Sequence, residues 1–319
     1  RRMEMSFSGM VKEELSRQIS MARHCRLAEI TALLSACGRM TAEGILHFQT
    51  ENYAVVRKYF TLLTKTFNIE TAIAIRESCQ MKKGKIYFVE IADPEQIETV
   101  LQGTKLSADE YNGGMLDVGN GFVTQQVCCK RAFIRGAFLA SGSISDPEKG
   151  YHLEIVCSEE KKADQLQELI RSFDIDAKIV TRKKSYVVYV KEGAQIVDML
   201  AVMEANVALM DLENIRILKE MRNTVNRKVN CEAANINKTV SAAVKQIDDI
   251  RYIEETKGLD KLPEGLKDMA LTRLTYPEAS LKELGALLQN PVGKSGVNHR
   301  LRKLSEMAEE IRAKQGGTL

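Results

Sequence analysis

Apolar positions in the first two-thirds of the chain switch between a helical and a strand period, and the order of switching is repeated. A helical pattern over LAEITALLSACG, Leu27–Gly38, leads to a strand, ILHFQT. A helix AVVRKYFTLLTKTFNIE follows, then strand-like TAIAIRES and KIYFVEI, then a helix DPEQIETVLQ. In the second copy RAFIRGAFLASG, Arg131–Gly142, leads to YHLEIVC, then KKADQLQELIRSFDID, AKIVTRKKSYVVYV and AQIVDMLAVM. Tyr186, Val188 and Val190 alternate with Val187 and Tyr189, a strand period. Leu166, Leu169, Ile170 and Phe173 form a helical stripe. The junctions beginning at Phe67 and Phe173 line up. Each copy therefore reads helix, strands, helix, strand pair, helix. The stretch from about Gly103 to Val127, rich in Gly and Asn, reads as a turn-rich linker.

The last third has only the helical period. Asp211 to Thr224 carries Leu212, Ile215, Leu218 and Met221 on one face. A joining segment, NTVNRKVNCEAANINKT, follows. Further on, NKTVSAAVKQIDDIRYIEE predicts a helix with Val240, Val244, Ile247 and Ile250 inward. LPEGLKDMALTRL predicts another, with Pro263 near its start and Leu266, Met269, Ala270 and Leu274 inward. Ser280 and Glu283 form a capping box that opens SLKELGALL, whose Leu281, Leu284, Leu287 and Leu288 make a stripe. Pro291 cannot continue that helix. Ser295 is a suitable N-cap for a second one, with Val297, Leu301, Leu304, Ala308 and Ile311 on one face. Lys294, Asn298, His299, Arg302 and Lys303 lie near its start on the other, with Arg300 at the side. Helix, short turn and basic second helix is the helix-turn-helix layout. Gly293-Lys294-Ser295 is not a nucleotide-binding loop, because Leu288 stands where that motif needs glycine and a helix rather than a strand precedes it.

The repeated order, with a small-residue helix opening each copy, resembles the LAGLIDADG homing-endonuclease fold. Close packing of the two opening helices would account for Ala28, Ala32, Ser35, Ala36, Gly136, Ala137 and Ala140. Together with the helix-turn-helix layout, the resemblance implies an α+β protein: a two-repeat LAGLIDADG-like αββαββα saddle domain followed by an all-α helix-turn-helix domain. The expected boundaries are 1–205 (repeats about 22–102 and 128–205), a linker helix and joining segment at 206–232, and the DNA-binding domain at 233–319. In nucleases of that fold an acid at the foot of each opening helix holds divalent metal, which needs hard oxygen ligands. Laid on this sequence, those positions are Cys37 and Ser141, and neither is a carboxylate. Glu43 and Asp146 lie downstream as alternative acids, so a metal-dependent DNA endonuclease stays open as the competing reading.

Composition narrows the classes. The chain has 319 residues, 44% of them apolar, and no run long enough to span a membrane. Its seven cysteines, Cys25, Cys37, Cys79, Cys128, Cys129, Cys157 and Cys231, include no C-x-x-C pair. They read as reduced, buried thiols of a cytosolic protein, with adjacent Cys128 and Cys129 on opposite faces of a strand; no metal site or cofactor is expected. The net charge of +3 lies entirely in the last third: residues 206–319 carry 19 basic and 16 acidic side chains, residues 1–205 carry 27 of each. Lys82, Lys83, Lys85, Arg182, Lys183 and Lys184 read either as DNA-facing cations or as solvated hairpin turns. Asn226, Arg227 and Asn230 in the joining segment suit phosphate and groove contacts, and asparagine suits turns and caps equally.

The two-repeat scaffold with its missing acids, MSFSGMVKEEL, RAFIRGAFLASGSISDPEKGYHLEI, NRKVNCEAANINKT and KSGVNHRLRKL together resemble the WhiA family of bacterial transcriptional regulators. That resemblance implies a non-enzymatic, cytoplasmic and nucleoid-associated protein linked to sporulation or cell-division control, bound to double-stranded DNA and without a membrane role. The expected DNA-binding residues are Lys294, Ser295, Asn298, His299, Arg300, Arg302 and Lys303, with Asn226, Arg227 and Asn230 secondary. The transcription machinery or another regulator is a further candidate partner, and a protein-interaction scaffold that contacts such machinery or RNA is a third reading.

Overall fold

A computed structural model describes residues 5–77, 84–109, 115–118 and 122–316. The chain divides into two compact units, Arg1–Glu220 and Met221–Leu319. Lys82, Lys83, Cys79 and the glycine-rich stretches 112–114 and 119–121 lie outside the described residues.

The first described helix of this unit is α1 (Phe7–Arg17), capped by the Ser6 side chain and burying Phe7, Val11 and Leu15. The first repeat follows as α2 (Arg23–Cys37), β1 (Gly38–Met40), β2 (Leu46–Thr50), α3 (Tyr53–Phe67), β3 (Ala74–Glu77), β4 (Lys85–Ile91) and α4 (Pro94–Thr104). The expected linker contains two short strands, β5 (Leu106–Asp109) and β6 (Met115–Val118), which pair antiparallel; β6 also meets β1. Each is too short to show a period. The second repeat is α5 (Val127–Ser141), β7 (Gly142–Ile144), β8 (Leu153–Cys157), α6 (Glu160–Arg171), β9 (Lys178–Arg182), β10 (Ser185–Val190) and α7 (Gly193–Met203). Both copies thus have the αββαββα order. The sheets run β3-β4-β2-β1-β6-β5 and β7-β8-β10-β9, with every pairing antiparallel.

The repeat extends to single residues. Asn68 and Asp174 both adopt the left-handed conformation, φ 56° and 61°, which short polar side chains tolerate. Each is followed by a buried isoleucine, Ile69 or Ile175. Gly38 and Gly142 each end an opening helix directly against a strand, and a Cβ at either would stand 2.6 Å from a carbonyl oxygen of the preceding turn. Helices α2 and α5 meet at backbone range: a Cβ on Gly136 would lie 2.7 Å from the Glu29 carbonyl oxygen. Small residues are required here because the helices cross with no room for larger ones.

A polar cluster lies inside this apolar core. Glu29 and Lys58, both fully buried, pair at 3.0 Å, and Arg135 Nε donates to the same Glu29 oxygen at 3.0 Å. Arg135 also reaches Glu204 at 2.7 Å. Lys58 donates to the Leu15 and Gln18 carbonyls, joining the end of α1 to α3. Burial holds the Lys58 ammonium below the usual lysine range, against the pull of Glu29.

The helix α8 (Asn206–Lys257) is continuous. The joining segment is therefore helical, and the turn-and-cap role of its asparagines is overturned. Leu212 is buried, but Leu218, Met221, Val240 and Val244 are exposed, so the inward faces expected there are not found. An apolar stripe fixes which face could be covered; here no described side chain covers it. The second unit's core forms around Ile250 and Ile253 of α8 with α9 (Glu264–Thr275), α10 (Leu281–Leu287) and α11 (Lys294–Gly316). Leu266, Met269 and Ala270 point inward as expected, while Leu287 is exposed.

Candidate nucleic-acid interface

Helix α10 starts at the expected capping box: Ser280 Oγ accepts from the Glu283 N–H, and Glu283 accepts from the Ser280 N–H at 2.8 Å. That backbone donor holds the Glu283 carboxyl below its ordinary range. The turn that follows folds onto α10. The Val292 N–H donates to the Gly285 carbonyl at 3.0 Å, and a Cβ on Gly285 would lie 2.2 Å from the Val292 oxygen. The turn also docks on α9, where Asp268 accepts from the Gln289 N–H at 3.0 Å. The Gly293 carbonyl accepts from the Gly296 and Val297 N–H groups as α11 begins. The helix thus starts before Ser295, which lies within the first turn and is not its N-cap.

Val297, Leu301, Leu304 and Ala308 of α11 are buried in the unit's core. Farther along, Arg312 stacks on Tyr252 and pairs at 2.7 Å with Asp249, whose side chain is almost fully buried. These contacts fix the rotation of α11. Lys294, Ser295, Asn298, His299, Arg302 and Lys303 are all exposed. Arg302 pairs with Glu306 at 2.9 Å, but both side chains are open to solvent, and such a pair exchanges readily for another acceptor. Arg300 is half-buried with its guanidinium against Gly265, so it lies to the side of this group. Asn226, Arg227 and Asn230 are exposed on α8. The exposed α11 set joins cations, amide, hydroxyl and imidazole at the start of a helix, where N–H groups and dipole favour phosphate.

In the first unit, the feet of α2 and α5 come together with Cys37 Sγ 3.9 Å from the Ala140 carbonyl oxygen. Ser141 turns back to the Ala137 carbonyl. Burial pushes the Cys37 thiol up to about 11, against the opposing pull of the Lys12 ammonium. Lys12 and Cys37 share the lining of a cleft of about 740 Å³. A neutral thiol, a hydroxyl and an ammonium are a poor donor set for magnesium, which takes oxygen ligands and negative charge. Glu43 is exposed in the β1–β2 turn. Asp146 lies in the β7–β8 turn, accepting from the Glu148 N–H and pairing with Lys149. Each acid therefore belongs to its own hairpin turn. Lys183 and Lys184 are exposed in the β9–β10 turn, and Arg182 is paired with Glu154 at 3.0 Å.

The sequence reading missed one constellation. Cys128 and Cys129 lie in the first turn of helix α5, not on a strand, and His24 and Cys25 lie in the first turn of α2. The ligand-type atoms of all four residues lie within 4.8 Å of one another. Cys128 and Cys231 are exposed, so neither is a buried apolar filler. The signal available in the sequence was the equal offset of the two pairs from Gly38 and Gly142.

Comparison with known proteins gives a consistent picture. Family models match for a WhiA N-terminal LAGLIDADG-like domain at residues 23–107, a WhiA LAGLIDADG-like domain at 130–222 and a WhiA C-terminal HTH domain at 225–308. A protein from Lachnoclostridium phytofermentans named probable cell division protein WhiA is 59% identical, over 97% of this chain and 100% of that one. A protein of the same name from Clostridium perfringens is 48% identical, over 97% and 99%. The crystal structure of full-length DUF199/WhiA from Thermatoga maritima superposes with a TM-score of 0.59 at 26% identity, covering 96% of this chain and 98% of that one.

Proposed function

The chain belongs to the WhiA family, and from that premise we propose that it is a sequence-specific regulator of transcription that binds duplex DNA through α11 and does not cut it. The observation that carries this reading is the division of α11 into a buried apolar face and an exposed face of Lys294, Ser295, Asn298, His299, Arg302 and Lys303. An α-helix with such a face fits the major groove, where Arg reads guanine and Asn reads adenine through paired hydrogen bonds. Lys294 and Lys303 are assigned to phosphates and Arg302 and Asn298 to base edges. Asn226, Arg227 and Asn230 add backbone contacts from α8. The names of the relatives point the regulation towards cell division, and sporulation control is part of the same proposal. Such a protein works at the nucleoid in the cytoplasm. In the described residues no helix is long and apolar enough to cross a membrane.

The LAGLIDADG-like unit then serves as a platform for the transcription machinery or another regulator rather than as a nuclease. Titration of duplex binding against salt tests the α11 assignment. Lys303→Ala should lower the slope of log affinity against log salt by about 0.9. An unchanged slope removes Lys303 from the interface. Supercoiled plasmid incubated with the same protein and magnesium should stay uncut; site-specific cutting that Glu43→Gln or Asp146→Asn abolishes establishes the nuclease reading instead.

A further inference from the structure

His24, Cys25, Cys128 and Cys129 meet where the first turns of α2 and α5 come together, at the opposite end of these helices from Cys37 and Ser141. The internal repeat makes them two equivalent pairs: His24 corresponds to Cys128, and Cys25 to Cys129. Their juxtaposition joins parts of the chain about a hundred residues apart. His24 Nδ1 stands 3.1 Å from Cys129 Sγ, 3.4 Å from Cys25 Sγ and 4.0 Å from Cys128 Sγ. We propose that these four side chains form a tetrahedral site for a single zinc ion, which pins the two repeats of the LAGLIDADG-like unit to each other.

The geometry selects the ion. Zinc takes thiolate sulfur at about 2.3 Å and imidazole nitrogen at about 2.0–2.1 Å, so ligand atoms around it stand about 3.5–3.8 Å apart. The observed separations, all within 4.8 Å, need only small side-chain rotations to reach that spacing. Three sulfurs and one nitrogen are a borderline-soft donor set that suits zinc and rejects magnesium or calcium. Ordinary packing of apolar thiols does not account for an imidazole nitrogen facing three sulfurs.

The surroundings leave the site open on one side. Neither Ala22 nor Gln126, the N-cap residues of α2 and α5, caps its helix with a side chain. The four side chains thus sit in the first turns of two helices whose ends no N-cap side chain occupies. Cys25 and Cys129 are each 5% exposed, while His24 and Cys128 are open to solvent. A cleft of about 250 Å³ lined by His24, Gln126, Gly103 and Lys105 reaches Cys129 and gives the ion a way in. The proposal does not depend on the DNA-binding reading.

The test uses the full chain, untagged and kept reduced. Metal analysis should find one zinc per chain. Replacement by cobalt should give the strong visible ligand-field bands of tetrahedral cobalt together with thiolate-to-cobalt charge transfer. Cys128→Ser alters an exposed thiol and leaves the core intact; it should weaken zinc binding by more than about 100-fold, beyond what loss of an outer-shell partner costs. Cys157→Ser, on β8, should leave stoichiometry and spectrum unchanged. Two results overturn the proposal: a folded, reduced chain that gives no cobalt bands at saturating cobalt, or a Cys128→Ser variant that binds as the parent does. The cobalt titration of the unaltered chain decides the matter even if a variant fails to fold.

Discussion

Glu29→Ala should destabilise the first unit by about 3–5 kcal/mol, the cost of stranding buried charges by removing their partner. One Glu29 oxygen serves both Lys58 and Arg135 at 3.0 Å, and neither cation has appreciable solvent access. Arg135 would keep Glu204, whose carboxylate is half exposed and so the weaker partner. Among the described residues Lys58 would keep only the carbonyls of Leu15 and Gln18. The network joins α1, α2, α3 and α5, so its loss should loosen the whole two-repeat body. Urea denaturation measures the change. Exchanging the trio together, as Glu29→Leu with Lys58→Met and Arg135→Met, should recover most of the loss, because a buried ion pair contributes little beyond a well-packed apolar equivalent. A Glu29→Ala chain with unaltered urea midpoint would show that the cluster is not closed to water.

The second large effect belongs to DNA. Arg302→Ala should cost about 1–3 kcal/mol of specific affinity and relax discrimination at one base position. The fold should be unaffected, because the Arg302 side chain is 79% exposed and its pairing with Glu306 is a surface contact of small worth. The measurement is a comparison of affinity for the preferred duplex and for single-base variants of it. Equal loss on all sequences would move Arg302 from base readout to phosphate contact.

Local signals made much of this fold readable. The two repeats announced themselves through strand and helix periods and through the junctions at Asn68 and Asp174, where both copies need a residue that tolerates the left-handed conformation. The Ser280–Glu283 box marked the start of α10 because capping is a matter of four consecutive residues. Features set by distant partners were not legible. Lys58 sits in a helix whose sequence gives no hint that Glu29 and Arg135 close over it. The strands β5 and β6 exist through pairing with each other and with β1, not through a pattern of their own. The asparagines of α8 suited turns as well as groove contacts, and their helical state was not legible because propensity is weak beside the continuity of a long helix. In the candidate interface, the exposed positions of α11 followed from helical spacing. The place of Arg300 at the side followed from the same spacing, but its packing against Gly265, more than thirty residues earlier, did not.

Selection from a pool of random duplexes tests the central claim most directly. The intact chain should enrich one shared sequence motif. A folded chain carrying Lys294→Ala, Arg302→Ala and Lys303→Ala should enrich none. Enrichment of the same motif with equal efficiency by that variant would contradict the account, since α11 would then have no part in reading DNA.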